Sequence, residues 1–351
     1  MATLRDSMIE LDPIFGVVGD EEKVSAYVKE ELAGMYDEYE ADALGNQYFV
    51  QNGTNPRVKL MLAAHMDEIG FVVHHIDDKG FIYFIPVGGH DSRVVINQVL
   101  AINTSKGLVK GVTGSRPAHI VSAEEQKKGI PIQELHLDAG TSNKAETLEL
   151  GVRVGDYITF ERKGEYLNGG KVFTGKAVDN RAGCAVLIEV MKRLKTKAVA
   201  PTVYGVFTVQ EEVGLRGAQP AGFRVQPDVA LAIDVTLAGG TPGIQDRELP
   251  VEFGAGAAIK CYDSGLAVPK KLTNRLVETA EKYAIPYQRE VLAKGTTDGH
   301  AIALSGSGVL TGCISIPSRY IHSAIGCVHL DDLEHCVQLI VKFIEDFTEK
   351  I

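Results

Sequence analysis

The chain contains no tryptophan among its 351 residues. It therefore lacks the usual surface for stacking on sugar rings. Its five cysteines (Cys184, Cys261, Cys313, Cys327 and Cys336) are odd in number, scattered, and never in a Cys-x-x-Cys pair. That spacing argues against a disulfide framework or a zinc–thiolate site and suits reduced thiols in a cytoplasmic protein. Acidic residues outnumber basic ones, giving a net charge of −10. That balance argues against nucleic acid or an anionic membrane as a partner, since both need a basic face. No apolar run approaches the roughly 18 residues of a membrane span, and the N-terminus has no signal-peptide core. What remains, 45% apolar and 23% charged, is ordinary for a globular protein, and the length suits two domains.

Several apolar runs share one feature. Residues 203–209 are β-branched and aromatic without helical periodicity, and they end in Gln210-Glu211-Glu212-Val213-Gly214. Residues 58–64 read as a second buried strand and end in His65-Met66-Asp67-Glu68. A third run, 228–233, ends in Asp234, and a fourth, 308–316, leads to Arg319-Tyr320-Ile321-His322-Ser323. Asp179 stands just before a helix expected over 180–195, where an N-cap role would also explain it. Further helices are expected over 21–36, 272–283 and 330–350.

From residue 70 to about 163 the texture changes. Short strands at 71–76, 80–85, 99–103, 107–112 and 156–161 are separated by turn residues, while 115–144 is polar and irregular. This reads as a β-rich insertion, residues 69–163, within a catalytic α/β domain made of residues 1–68 and 164–351. The expected fold is α/β: a mixed, mostly parallel sheet with helices on both faces, plus a small β-barrel-like insert. His74, His75, His90, His119 and His136 lie in the insert without convergent partners.

In an open α/β sheet, ligands bind at the carboxyl ends of the strands. His65, Glu211, Glu212, Asp234 and His322 all fall at or beyond such ends, so a mostly parallel sheet would bring them together. Imidazoles with carboxylates suit Zn²⁺, Co²⁺ or Mn²⁺. Three carboxylates and two imidazoles can hold two divalent ions if one carboxylate bridges, which leaves a carboxylate to act as base. Asp67, two residues from His65 in extended chain, points the same way and can fix its ring.

The ordered motifs Ala64-His65-Met66-Asp67-Glu68, Val178-Asp179-Asn180-Arg181, Gln210-Glu211-Glu212-Val213-Gly214, Ile233-Asp234 and Arg319-Tyr320-Ile321-His322-Ser323 resemble the tetrahedral (TET) metalloaminopeptidase family. That family includes glutamyl and deblocking aminopeptidases, and the resemblance runs essentially end to end. It implies that Asp179 bridges two metals, with His65 and Asp234 completing one site and Glu212 and His322 the other. Glu211 would be the general base and Asp67 the group behind His65. It also implies a homododecamer built from dimers, with the insert making much of the assembly contact. The chain departs from the family at Val18-Gly19-Asp20-Glu21 and at Gly295-Thr296-Thr297-Asp298-Gly299; the second loop bears on specificity.

The expected activity is removal of N-terminal residues from short peptides with a free amine. Lys260, in an otherwise small and apolar strand, is nominated with Thr297 and Asp298 for substrate selection, with acidic residues preferred. Alternatively its stem packs and its amine reaches water. Deacylation of N-acylated amino acids would use the same metals, and a non-catalytic scaffold would not need the intact ligand set.

Overall fold

A computed structural model describes residues 3–122 and 129–348. Its main sheet has eleven strands. Four central strands, Pro201–Thr208, Asn55–His65, Val229–Leu237 and Leu310–Arg319, lie side by side in that order and are mutually parallel. Antiparallel strands flank them: Gln47–Gln51 and Glu38–Ala41 on one side, and Gly326–His329, Val172–Gly175 and Glu165–Leu167 on the other. The expected mixed sheet is thus present, with its parallel part concentrated at the centre.

Both faces of the central strands are buried, which is why they read as unbroken apolar runs. Leu60, Leu62 and Ala64 face the larger core, formed with the helices Val178–Leu194, Lys270–Lys282 and Leu330–Asp346. Met61 and Ala63 point the other way, toward the helices Ala218–Val225 and Asp298–Ala303. The C-terminal helix ends at Asp346; the last residues of the stretch expected to be helical, through Lys350, lie outside the described residues.

A second sheet closes into a barrel of six antiparallel strands: Gly70–Ile76, Ile82–Val87, His136–Asp138, Gly107–Thr113, Val99–Thr104 and Tyr157–Phe160. It has its own core, including Phe71, Phe84, Leu100 and Phe160. The strand His136–Asp138 lies inside the stretch expected to be irregular; it is three residues long, too short to show a period. Residues 123–128 of that stretch lie outside the described residues.

Where the barrel meets the sheet, charge is buried. Lys176 lies 2.5 Å from both carboxylate oxygens of Glu68, which also accepts from the Thr159 hydroxyl at 2.9 Å and the Gly16 amide at 3.2 Å. Arg181, fully buried, donates to the carbonyls of Leu11, Ile14 and Gly16. One carboxylate therefore holds the N-terminal segment, the barrel and the strand preceding Asp179. Removing a single member of a buried pair leaves its partner's charge uncompensated. Lys176→Met is expected to lower stability by about 3–5 kcal/mol, read as a shift in the urea midpoint of the metal-free protein; an unchanged midpoint would contradict this account of the junction.

Candidate active site

The parallel register sets the site. Thr208 pairs with His65, and Ala232 with Ala63, so two residues further on Asp234 stands beside His65. Glu211 and Glu212 follow in the turn beyond Pro201–Thr208, entered through Gln210 in a left-handed conformation. Asn46 closes this turn from below, accepting from the Val209 amide at 3.1 Å and donating to the Gly217 carbonyl at 3.0 Å. Glu21 accepts from the Gln210 amide at 3.3 Å and is pushed up to about 7 by burial.

Asp179 lies between the two imidazoles. Its Oδ1 is 3.3 Å from His65 Nε2, and its Oδ2 is 3.4 Å from His322 Nε2. Asp234 Oδ1 lies 3.6 Å from the first ring nitrogen, and Glu212 Oε2 lies 3.4 Å from the second. His65, Asp179 and Asp234 present donor atoms within 4.8 Å of one another, as do Asp179, Glu212 and His322, and likewise His65, Glu211 and Glu212. Asp179 is not the helix cap that would also have explained its position. The cap bond is made by Asn180, whose Oδ1 accepts from the Gly183 amide at 2.9 Å, while its amide donates to the Ile233 carbonyl at 2.8 Å.

The orientation of His65 differs in detail from the expectation for Asp67. The ring's Nδ1 donates to the Asp67 backbone carbonyl at 3.1 Å, with the carboxylate 3.5 Å away. That carboxylate accepts instead from the amides of Glu211 and Glu212, at 3.0 and 3.1 Å. Asp67 thus ties the end of one strand to the turn of the next. His322 is held in the same way as His65, its Nδ1 donating to the Gly89 carbonyl at 2.9 Å. Each ring therefore turns Nε2 toward the carboxylates, the tautomer a metal ligand needs.

These residues line a cavity of about 460 Å³ whose outer wall includes Thr236, Leu237, Lys260, Leu292, Lys294 and Thr297. Lys260 does not reach water. Its ammonium is buried, 2.7 Å from Glu290 Oε1 and 3.5 Å from Asp263 Oδ2. Thr297 caps the short helix Asp298–Ala303, accepting from the Gly299 amide at 3.3 Å. Asp298, nominated to contact substrate, is 2% exposed, is not part of the wall, and accepts a hydrogen bond from the Thr208 hydroxyl. It is the first residue of a helix packed under the sheet, so its side chain points into the protein. Glu290, Asn46 and the Gly89 carbonyl were not legible as site groups: a strand glutamate, a turn asparagine and a backbone oxygen carry no pattern.

The electrostatics explain what the site lacks on its own. Burial pushes Glu211 well above the usual carboxylate range and Glu212 to about 8. Burial alone would lower His322, but Asp179 and Glu212 carry it up to about 9. His65 is likewise raised, the carboxylates around it outweighing its burial. Glu212 Oε1 is buried with no hydrogen-bond partner among the described residues. Crowded carboxylates with inward-facing imidazole nitrogens fit divalent cations.

Ligand-type side chains gathered at the carboxyl edge of a parallel core, beside one further carboxylate, define a metal-dependent hydrolase. The chain belongs to the M42 glutamyl aminopeptidase family, which it matches over residues 45–339, and it is a metallo-aminopeptidase. It is 36% identical to a TET aminopeptidase from a marine-sediment Thaumarchaeota archaeon, with a TM-score of 0.95 over 98% of this chain and 96% of that one. It is 32% identical to a Pyrococcus horikoshii TET1 peptidase described as assembling into a tetrahedron or a large octahedral shell, with a TM-score of 0.87 over 98% of this chain and all of that one. It is 34% identical to a lysyl aminopeptidase of Pyrococcus furiosus over 90% of this chain and 89% of that one.

Because Asp179 and Glu212 hold His322 at about 9, its ring carries a proton at pH 7 in the metal-free protein and must lose it to bind a cation. Metal uptake at pH 7 is therefore expected to release protons, and affinity is expected to fall as pH drops toward 6. Calorimetric titration of Zn²⁺ in buffers of different ionisation enthalpy checks this; a binding heat independent of buffer would contradict it.

Proposed function

We propose that the protein uses two divalent ions, Zn²⁺ or Co²⁺ with Mn²⁺ as a third option, to release N-terminal residues from short peptides with a free amine. The observation that carries this reading is Asp179, whose two oxygens face separate imidazoles, each with a further carboxylate beside it. His65 and Asp234 would hold one ion, Glu212 and His322 the other, and Asp179 both. Bound ions of this kind supply Lewis acidity, polarising the scissile carbonyl and acidifying the attacking water. Glu211 lines the cavity, with a carboxylate oxygen within 4.8 Å of donor atoms of His65 and Glu212. A carboxylate left free of the proposed ions suits a base that takes the water's proton and passes it to the departing amine. Asp67 keeps Glu211 and Glu212 in place through their amides.

An acidic preference needs a cation facing the substrate side chain. Lys260 gives its charge to Glu290 and Asp263, while Lys294 is exposed at the rim. The acidic preference we propose is therefore modest and carried mainly by Lys294. The lysyl relative is a reminder that one architecture serves opposite side chains. Residues 69–163 are proposed as the assembly domain, their surface exposing Leu108, Val112 and Ile120, within a homododecamer built from dimers. The free cysteines support a cytoplasmic location; no described helix is long and apolar enough to cross a membrane.

The test is a panel of Glu-, Asp-, Leu- and Lys-peptides, free and N-acetylated, offered to the metal-loaded protein. Release from free-amine peptides alone is expected; cleavage of the acetylated set alone would identify a deacylase instead. Glu211→Gln is expected to lower kcat about 10²- to 10⁴-fold with metal content unchanged, and full activity would remove it as the base. Lys294→Ala is expected to lower kcat/KM for Glu- and Asp-peptides several-fold more than for Leu-peptides; equal losses would remove the acidic preference.

A further inference from the structure

His322 is the less supported of the two imidazoles. Its side chain is 37% exposed against 2% for His65, and both His322 and Tyr320 have φ near +60°. His65 is steadied by a carbonyl two residues away. The carbonyl that steadies His322 belongs to Gly89, in the loop that follows the barrel strand Ile82–Val87. The loop comes close through Gly88 and Gly89, which have no side chains. A Cβ on Gly88 would lie 2.6 Å from Ile69 Cγ2, and one on Gly89 would lie 3.1 Å from His322 Nδ1.

The next residue is His90. Its Nε2 lies 2.7 Å from the Gly70 carbonyl and 3.2 Å from the Val87 carbonyl. Both partners only accept, so the proton is on Nε2. The ring stacks on Phe71, with centroids 4.3 Å apart and planes 27° from parallel. Gly70 and Val87 face each other in the barrel register, so the ring clips the loop onto the strand pair at the seam with the main sheet. Its Nδ1 is buried and has no hydrogen-bond partner among the described residues.

We infer that His90 is a positioning residue for the metal centre: by clamping residues 87–90 it holds the Gly89 carbonyl against His322 Nδ1–H, and so keeps His322 Nε2 turned toward Asp179 and Glu212. The inference rests on the reading of His322 as a metal ligand. It makes the barrel part of the active site as well as an assembly surface, since one of the two proposed ion sites is complete only with its loop in place.

The test uses the full-length protein, stripped by chelator and titrated with Zn²⁺ against a competing chelator so that two affinities are resolved. His90→Phe keeps the stacking but loses the donor; His90→Gln restores a donor at similar reach. His90→Phe is expected to weaken one site about 10- to 100-fold and leave the other unchanged, with altered visible absorption of the Co²⁺-loaded protein. His90→Gln is expected to recover most of the affinity. Unchanged affinities in His90→Phe, or equal weakening of both sites with a fall in melting temperature, would overturn the inference. His322→Ala separates the two readings: if it loses one site while His90→Phe loses nothing, only the clamp is wrong. If His322→Ala retains both sites, the ligand reading fails and the clamp with it.

Discussion

The interaction on which the rest depends is the placement of one carboxylate, Asp179, between two imidazoles, with three more carboxylates crowded around them. Such a cluster is unfavourable alone, because buried like charges repel and burial penalises each of them. The surrounding structure is largely a set of devices that hold these groups together. The parallel register aligns His65 with Asp234, and Asp67 draws the Glu211–Glu212 turn toward His65. Asn180 takes over the capping bond, so Asp179 is left facing the rings. Repulsion that cations relieve is a physical reason for metal dependence, independent of any likeness to relatives.

A second layer of buried charge lies just behind the first. The Glu68–Lys176 pair, with Arg181, fastens the N-terminal segment, the barrel and the start of the Asp179 helix at one point. Glu68 is three residues beyond His65, and Lys176 three before Asp179. The site's two main supports are therefore fixed to each other through a contact outside the cavity. Gly89 and His90 add a third hold from the barrel side. Hydrogen bonds that cross the seam thus link the barrel to the residues of the proposed site.

Much of this was legible in the sequence because the signals are local. An unbroken apolar run ending abruptly in His or Glu marks a buried strand and its carboxyl end, and the order of the motifs carries the family resemblance. What escaped was non-local. The carbonyl of Gly89 is 233 residues from the histidine it steadies. The partner that neutralises Lys260 lies on another strand, so the lysine read as a free cation. Asp298 shares a loop with cavity residues, but a one-residue difference at a helix start turns it inward. The strands Val172–Gly175 and Gly326–His329 are too short for a period to declare itself.

The central claim is that Asp179 joins two ions, one held with His65 and Asp234 and the other with Glu212 and His322. Anomalous diffraction from crystals of the Zn²⁺-loaded protein tests it most directly. The account predicts two peaks per subunit, about 3.5–4 Å apart, with one oxygen of Asp179 on each. A single peak, or two peaks with Asp179 bonded to neither or only one, would contradict it.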